Sequence, residues 1–171
     1  MKGSVFSVAF ILLLLNNGVK AHNNNQLSLQ FSLNQVDLAY QHKLISPNIW
    51  GEAFVGIGNQ DINSSFDDFL SGLRIGFDAF SNEKNLLGFN TSIGIYIPNN
   101  DYYTATTPVF GAGIRYTRFI GKSGKHSLFV NTGYQYGKRD YKQKYSSEII
   151  NVTTVGNFKI APLYFSLGYG F

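Results

Sequence analysis

The chain has 171 residues, of which 44% are hydrophobic, 16% aromatic and 14% charged, with no Cys. That length suits one domain, and the aromatic content excludes disorder of the whole. The lack of Cys excludes a disulfide framework, a thiolate metal site and a cysteine nucleophile. Residues 1–21 read as a secretory signal peptide. Lys2 supplies the positive start, Val5 to Leu15 an apolar run interrupted by Ser7, and Val19-Lys20-Ala21 a cleavage site after Ala21. The run is about 11 residues, against the roughly 20 that a spanning helix needs. Cleavage removes Lys2 and Lys20, so the 14 basic groups fall to 12 against 10 acidic ones and the formal charge of +4 falls to +2. That balance gives no argument for nucleic acid. Residues 22–171 remain as one domain.

Along that domain the period is two, which is the period of a strand. Leu27, Leu29, Phe31 and Leu33 alternate with Ser28, Gln30 and Ser32, and predict a first strand within 25–33 that turns near Asn34. Val36, Leu38 and Tyr40 continue the pattern in 35–44, and Ala53, Val55 and Ile57 in 49–59. Leu73, Ile75, Phe77 and Ala79 mark 69–80, and Leu87 to Ile97 mark 86–97. Phe110, Ala112, Ile114 and Tyr116 mark 108–120, and Leu128 to Tyr136 mark 127–138. Leu163, Phe165, Leu167, Tyr169 and Phe171 close the series in 158–171. An alternative joins 26–44 into one strand and places the eighth inside 140–157.

Segments of about 10–14 residues exceed ordinary strands and match a tilted membrane-crossing strand of roughly 9–11. The connections at 45–48, 81–85 and 121–126 are short, and those at 59–68, 98–107 and 138–157 are long and polar. Short turns on one side and long loops on the other fit an antiparallel up-and-down transmembrane β-barrel, with eight strands.

Alternation alone does not say which face is the interior. On the barrel reading the inward set includes Asp37, Glu52, Arg74, Asp78 and Arg115. An eight-strand barrel is just wide enough for side chains, and buried charges must pair. The expectation is a plugged, ion-paired lumen rather than a continuous pore. Aromatics near the strand ends are expected to form interfacial girdles. Tyr40, Trp50, Phe80, Phe119 and Phe171 lie on the short-turn side, and Tyr96, Tyr102, Tyr103, Phe110, Tyr134 and Tyr136 on the other.

Phe165, Leu167, Tyr169 and Phe171 resemble the terminal assembly signal of outer-membrane barrels. The span from Val36 to Asn48 (VDLAYQHKLISPN) is similar to a strand and first turn of the small porin-family outer membrane protein β-barrel domain of Gram-negative bacteria. The resemblance covers about residues 26–171. It implies a monomeric barrel in the outer membrane, surrounded by lipid and lipopolysaccharide and delivered by the barrel assembly machinery. It names a place more than an activity.

Chemistry is sparse. A hydrolase needs a His beside a Ser nucleophile. His126 adjoins Ser127, but neighbours on a strand face opposite ways; the other histidines after residue 21 are His22 and His42. Asp61, Asp67 and Asp68 offer oxygens without a calcium-loop pattern. No cofactor or metal is expected. Lys138, Arg139, Tyr141, Lys142, Lys144 and Tyr145 form a basic, aromatic stretch of the last long loop, suited to lipopolysaccharide phosphates or a host surface. The leading expectation is a non-enzymatic outer-membrane barrel with a structural, surface-interaction or limited small-molecule role. The alternatives are an outer-leaflet lipid A-modifying barrel enzyme and a soluble periplasmic barrel that takes a small apolar ligand.

Overall fold

The computed structural model describes residues 24–171 apart from 45, 47, 60–67, 100–102, 104, 122–123 and 148–149. The signal-peptide reading of 1–21, together with His22, Asp61, Asp67 and Tyr102, lies outside the described residues. Among the described residues the structure is all-β: β1 (Asn25–Ser32), β2 (Gln35–Lys43), β3 (Ile49–Gly58), β4 (Asp68–Ser81), β5 (Asn85–Ile97), β6 (Thr107–Ile120), β7 (His126–Ser146), β8 (Asn151–Lys159) and β9 (Leu163–Gly170).

Each strand pairs antiparallel with its neighbour in the order β6-β5-β4-β3-β2-β1-β9-β7-β8. An additional β6–β7 ladder from Val109↔Gly137 to Ile120↔His126 closes the sheet. The result is a closed eight-strand barrel built from β1 to β7 and β9. Closure removes the free edges that an open sheet of this size would expose. The break between β1 and β2 falls at Leu33-Asn34, so 26–44 is a hairpin and not one strand. The β2–β3, β4–β5 and β6–β7 connections lie at one end of the barrel, and in the last of them Gly121 and Gly124 take positive φ of 75° and 63°. That region of φ carries no steric cost in glycine.

The largest departure from the sequence reading is in 138–157, which is a β-hairpin and not a loop. β7 runs unbroken to Ser146, and its outer half pairs with β8 from Lys138↔Lys159 to Ser146↔Asn151. Its inner half pairs with β9 from Ser127↔Gly170 to Tyr134↔Leu163. β8 and β9 are thus two lengths of one path, interrupted at Ile160-Ala161-Pro162, where Pro162 has no N–H to give. The hairpin projects past the barrel wall, so both of its faces are exposed from Lys142 to Ser147 and from Ile150 to Val155. A strand wet on both faces shows no apolar alternation, and the segment therefore reads as a loop.

The packing is inverted relative to a soluble domain. Large apolar side chains stand on the outer wall: Phe31 is 50% exposed, Leu73 59%, Phe89 54% and Leu167 52%. The buried set is mostly polar, including Ser28, Gln30, Asp37, Glu52, Arg74, Asn90, Arg115, Asn131 and Ser166.

Candidate functional site

The lumen side chains come from every second residue of the eight staves, because successive side chains on a strand point to opposite faces. Counting along β3 and β4 brings Glu52 opposite Arg74 in the register of the two strands. Arg115 reaches the same carboxylate from β6. Its Nη1 donates to Glu52 Oε2 at 2.7 Å and its Nη2 to Oε1 at 3.1 Å. Arg74 Nη1 donates to Glu52 Oε1. Gln30 Nε2 adds a bond to Glu52 at 3.1 Å, and Gln41 accepts from Arg115 at 2.9 Å. One carboxylate thus serves two guanidiniums at the centre of the barrel.

Aromatic rings complete this plug. The Arg115 guanidinium lies between Trp50 at 4.5 Å and Phe129 at 4.6 Å, and Arg74 lies over Phe54 at 5.0 Å. Cation–ring contacts add attraction where the charge is desolvated. Toward the short-turn end, Asp78 pairs with Lys43 and accepts from Trp50 Nε1 at 3.0 Å. Asp37 stands apart from both groups. Gln35 donates to its Oδ2 at 2.7 Å, and its Oδ1 has no hydrogen-bond partner.

The five charged residues read from sequence as inward-facing, Asp37, Glu52, Arg74, Asp78 and Arg115, are all buried. Glu52, Arg74 and Arg115 come together, whereas Asp78 and Asp37 do not join them. The sequence reading omitted Lys43, which shares the inward parity of Asp37, and Asp68, which shares that of Arg74. It also assigned Arg139 to a surface loop. Arg139 is instead fully buried and grips Asp68 across the barrel mouth, with one bond at 2.9 Å. Tyr103, from the β5–β6 connection, lies 3.5 Å from the Arg139 guanidinium. Leu70, Tyr96, Val109 and Ile160 pack together at the same end. The mouth is therefore capped by an ion pair, a ring and a small apolar cluster. Between cap and plug lies a cavity of about 60 Å³ lined by residues that include Gln35, Asp37, Arg74, Tyr96 and Tyr164. Small-molecule sites occupy roughly 300–1,000 Å³, so this space fits no ligand of that size.

The girdle assignment needs correction at several positions. Trp50, Phe119, Tyr96 and Tyr103 are buried, and Phe80 is half-buried after a register shift between Asp78 and Phe80. Tyr40, Phe110, Tyr134, Tyr136 and Phe171 do stand exposed on the wall. Trp50 and Phe119 share the parity of Glu52 and Arg115, and that parity was the available signal. Phe165, Leu167, Tyr169 and Phe171 are exposed.

The basic stretch divides by parity. Arg139, Tyr141 and Tyr145 share the face that continues the lumen side, while Lys138, Lys142 and Lys144 share the face that continues the outer wall. His126 and Ser127 also separate. His126 stacks on Tyr169 at 5.8 Å, and its Nδ1 lies 2.9 Å from the Tyr169 hydroxyl. Ser127 is buried and accepts from Gln26 Nε2 at 2.8 Å. Among the described residues no group of three or more His, Asp or Glu is placed to hold a metal ion. The chain matches no protein-family model and no curated protein.

Proposed function

We propose that the chain is a non-enzymatic outer-membrane β-barrel of a Gram-negative bacterium, with a structural or surface-interaction role. The observation that carries this reading is the inverted wall. Leu, Ile, Phe and Val stand exposed around the outside while Glu52, Arg74 and Arg115 are buried within. Soluble monomers rarely expose contiguous apolar patches beyond a few hundred Å². A surface of this kind on all staves is suited to hydrocarbon, where a closed barrel is the one sheet that satisfies its own backbone. The short-turn end then faces the periplasm and the 138–159 hairpin faces the exterior. The central ion-paired plug and the capped mouth support an interior closed to flow.

Fractionation of expressing cells tests this, followed by a gel of boiled and unboiled outer-membrane material. The expected result is a band in the outer-membrane fraction whose mobility shifts on heating, because the closed ladder stays folded in detergent until heated. A soluble band with no shift refutes the reading.

A further inference from the structure

The lysines of the hairpin occupy one face, and that face continues the outer wall. On β7 the outward residues run Leu128, Val130, Thr132, Tyr134, Tyr136, Lys138, Asp140, Lys142 and Lys144 with no register break. The apolar series ends in two exposed tyrosines and the basic series starts at the next outward position. The paired strand adds Lys159, directly opposite Lys138. Four lysines therefore share this face with one carboxylate among the described residues. Like charges placed directly across a ladder are destabilising. Lys138 and Lys159 hold that arrangement, and an anion bound between them would offset the repulsion.

Position along the strand says which anion. At about 3.3 Å per residue, Lys138 stands about 7 Å and Lys144 about 26 Å past Tyr136 along the strand. With a tilt near 45° those become heights of about 5 and 19 Å above the aromatic level, where the polar layer of a bilayer begins. Building on the proposed outer-membrane reading, we infer that the outward face of the hairpin, through Lys138, Lys142, Lys144 and Lys159, binds the phosphate groups of the phosphorylated glycolipid of the outer leaflet, lipopolysaccharide. Arg139 takes no part, because Asp68 holds it in the mouth. Each ammonium acts as a point charge that needs no fixed geometry, which suits phosphates carried on mobile sugars.

The test uses the full chain folded in detergent, first checked for the heat-shifted band, and then titrated with fluorescent lipopolysaccharide and with the same lipid after phosphate removal. The quadruple variant K138Q/K142Q/K144Q/K159Q is expected to bind at least about tenfold more weakly than the unaltered chain, since each basic group near an anionic surface contributes severalfold. The corresponding quadruple Lys→Arg variant keeps affinity within about twofold, because it keeps the charge. Removal of the lipid phosphates weakens the unaltered chain as much as the Gln variant is weakened. Inorganic phosphate at millimolar concentration does not compete.

A Gln variant that binds within twofold of the unaltered chain overturns the inference. An Arg variant as weak as the Gln variant, indifference to lipid phosphate, or full competition by inorganic phosphate does the same. When the heat-shifted band is present and the lipid result fails, only this inference falls. When the band itself is absent, the outer-membrane reading falls with it.

Discussion

Replacing Glu52 with Gln removes the one negative charge shared by two buried guanidiniums. The Glu52 side chain is 0% exposed, and those of Arg74 and Arg115 are 7% and 5% exposed. Breaking a buried ion pair by removing one partner costs about 3–5 kcal/mol, because the remaining charge has no compensation. The contacts of Arg115 with Trp50 and Phe129 are present in both proteins and cancel in the difference. Arg115 keeps its bond to Gln41 and Arg74 its bond to Gln30, which holds the loss near the lower figure. With a urea slope of about 2–3 kcal/mol/M, a loss of about 3 kcal/mol lowers the unfolding midpoint by about 1–1.5 M. Trp50 is the single Trp of the chain and touches Arg115, so its fluorescence reports this layer directly. Adding Arg115→Met to Glu52→Gln is expected to recover part of the loss, since one fewer guanidinium lacks a counter-charge and sites in contact are not additive. A midpoint shift below about 0.3 M for Glu52→Gln refutes the reasoning, since it corresponds to less than about 1 kcal/mol, under a third of the stated loss.

Asp37→Asn is expected to leave the same midpoint unchanged or raised, because Asp37 Oδ1 has no partner to lose and Gln35 can still donate to the amide oxygen; a fall as large as that of Glu52→Gln contradicts the distinction between the two acids. Gly76→Ala places a Cβ against the Trp50 ring, and is expected to cost about 1–3 kcal/mol by overpacking, with a visible change in Trp50 emission; an unaltered spectrum and midpoint count against that contact. Arg139→Gln leaves the fully buried Asp68 without its cation, and the mouth is expected to open locally so that a protease cuts within 138–159 at least tenfold faster while the rest of the barrel stays intact. Equal cleavage rates in the two proteins argue against the clamp.

The fold was legible wherever one face of a strand differs from the other. Leu27, Leu29 and Phe31 against Ser28 and Gln30 already marked the first strand, and the barrel follows from repeating that contrast. Polarity was also the reason that Glu52, Arg74 and Arg115 were read as sharing an interior. Two kinds of feature were not legible. The extension of β7 and the whole of β8 carry polar residues on both faces, so no period distinguishes them from a solvated loop; the β-branched run Val152-Thr153-Thr154-Val155 was the weak signal present. Pairing partners across the lumen were the second. Asp68 and Arg139 lie 71 positions apart, and no local pattern links them. Aromatic residues near strand ends misled for a related reason. Nearness to an end says nothing of which face a ring takes, and the large interior rings of Trp50 and Phe119 stack against or fill space beside charge rather than meeting an interface.

The clamp at the mouth has a mechanical consequence. Beyond the barrel rim β8 is laddered to β7 alone, so the hairpin is a cantilever fixed at one end. Arg139 sits at its root and is anchored to β4 on another part of the wall. A pull on the tip therefore loads the Asp68–Arg139 link and the Tyr103↔Tyr141 bridge before it can peel β7 from its barrel neighbours. The interruption at Ile160-Ala161-Pro162 gives one side of the arm a place to flex. Force arriving at the tip is spent in bending the arm, and the staves below keep their register.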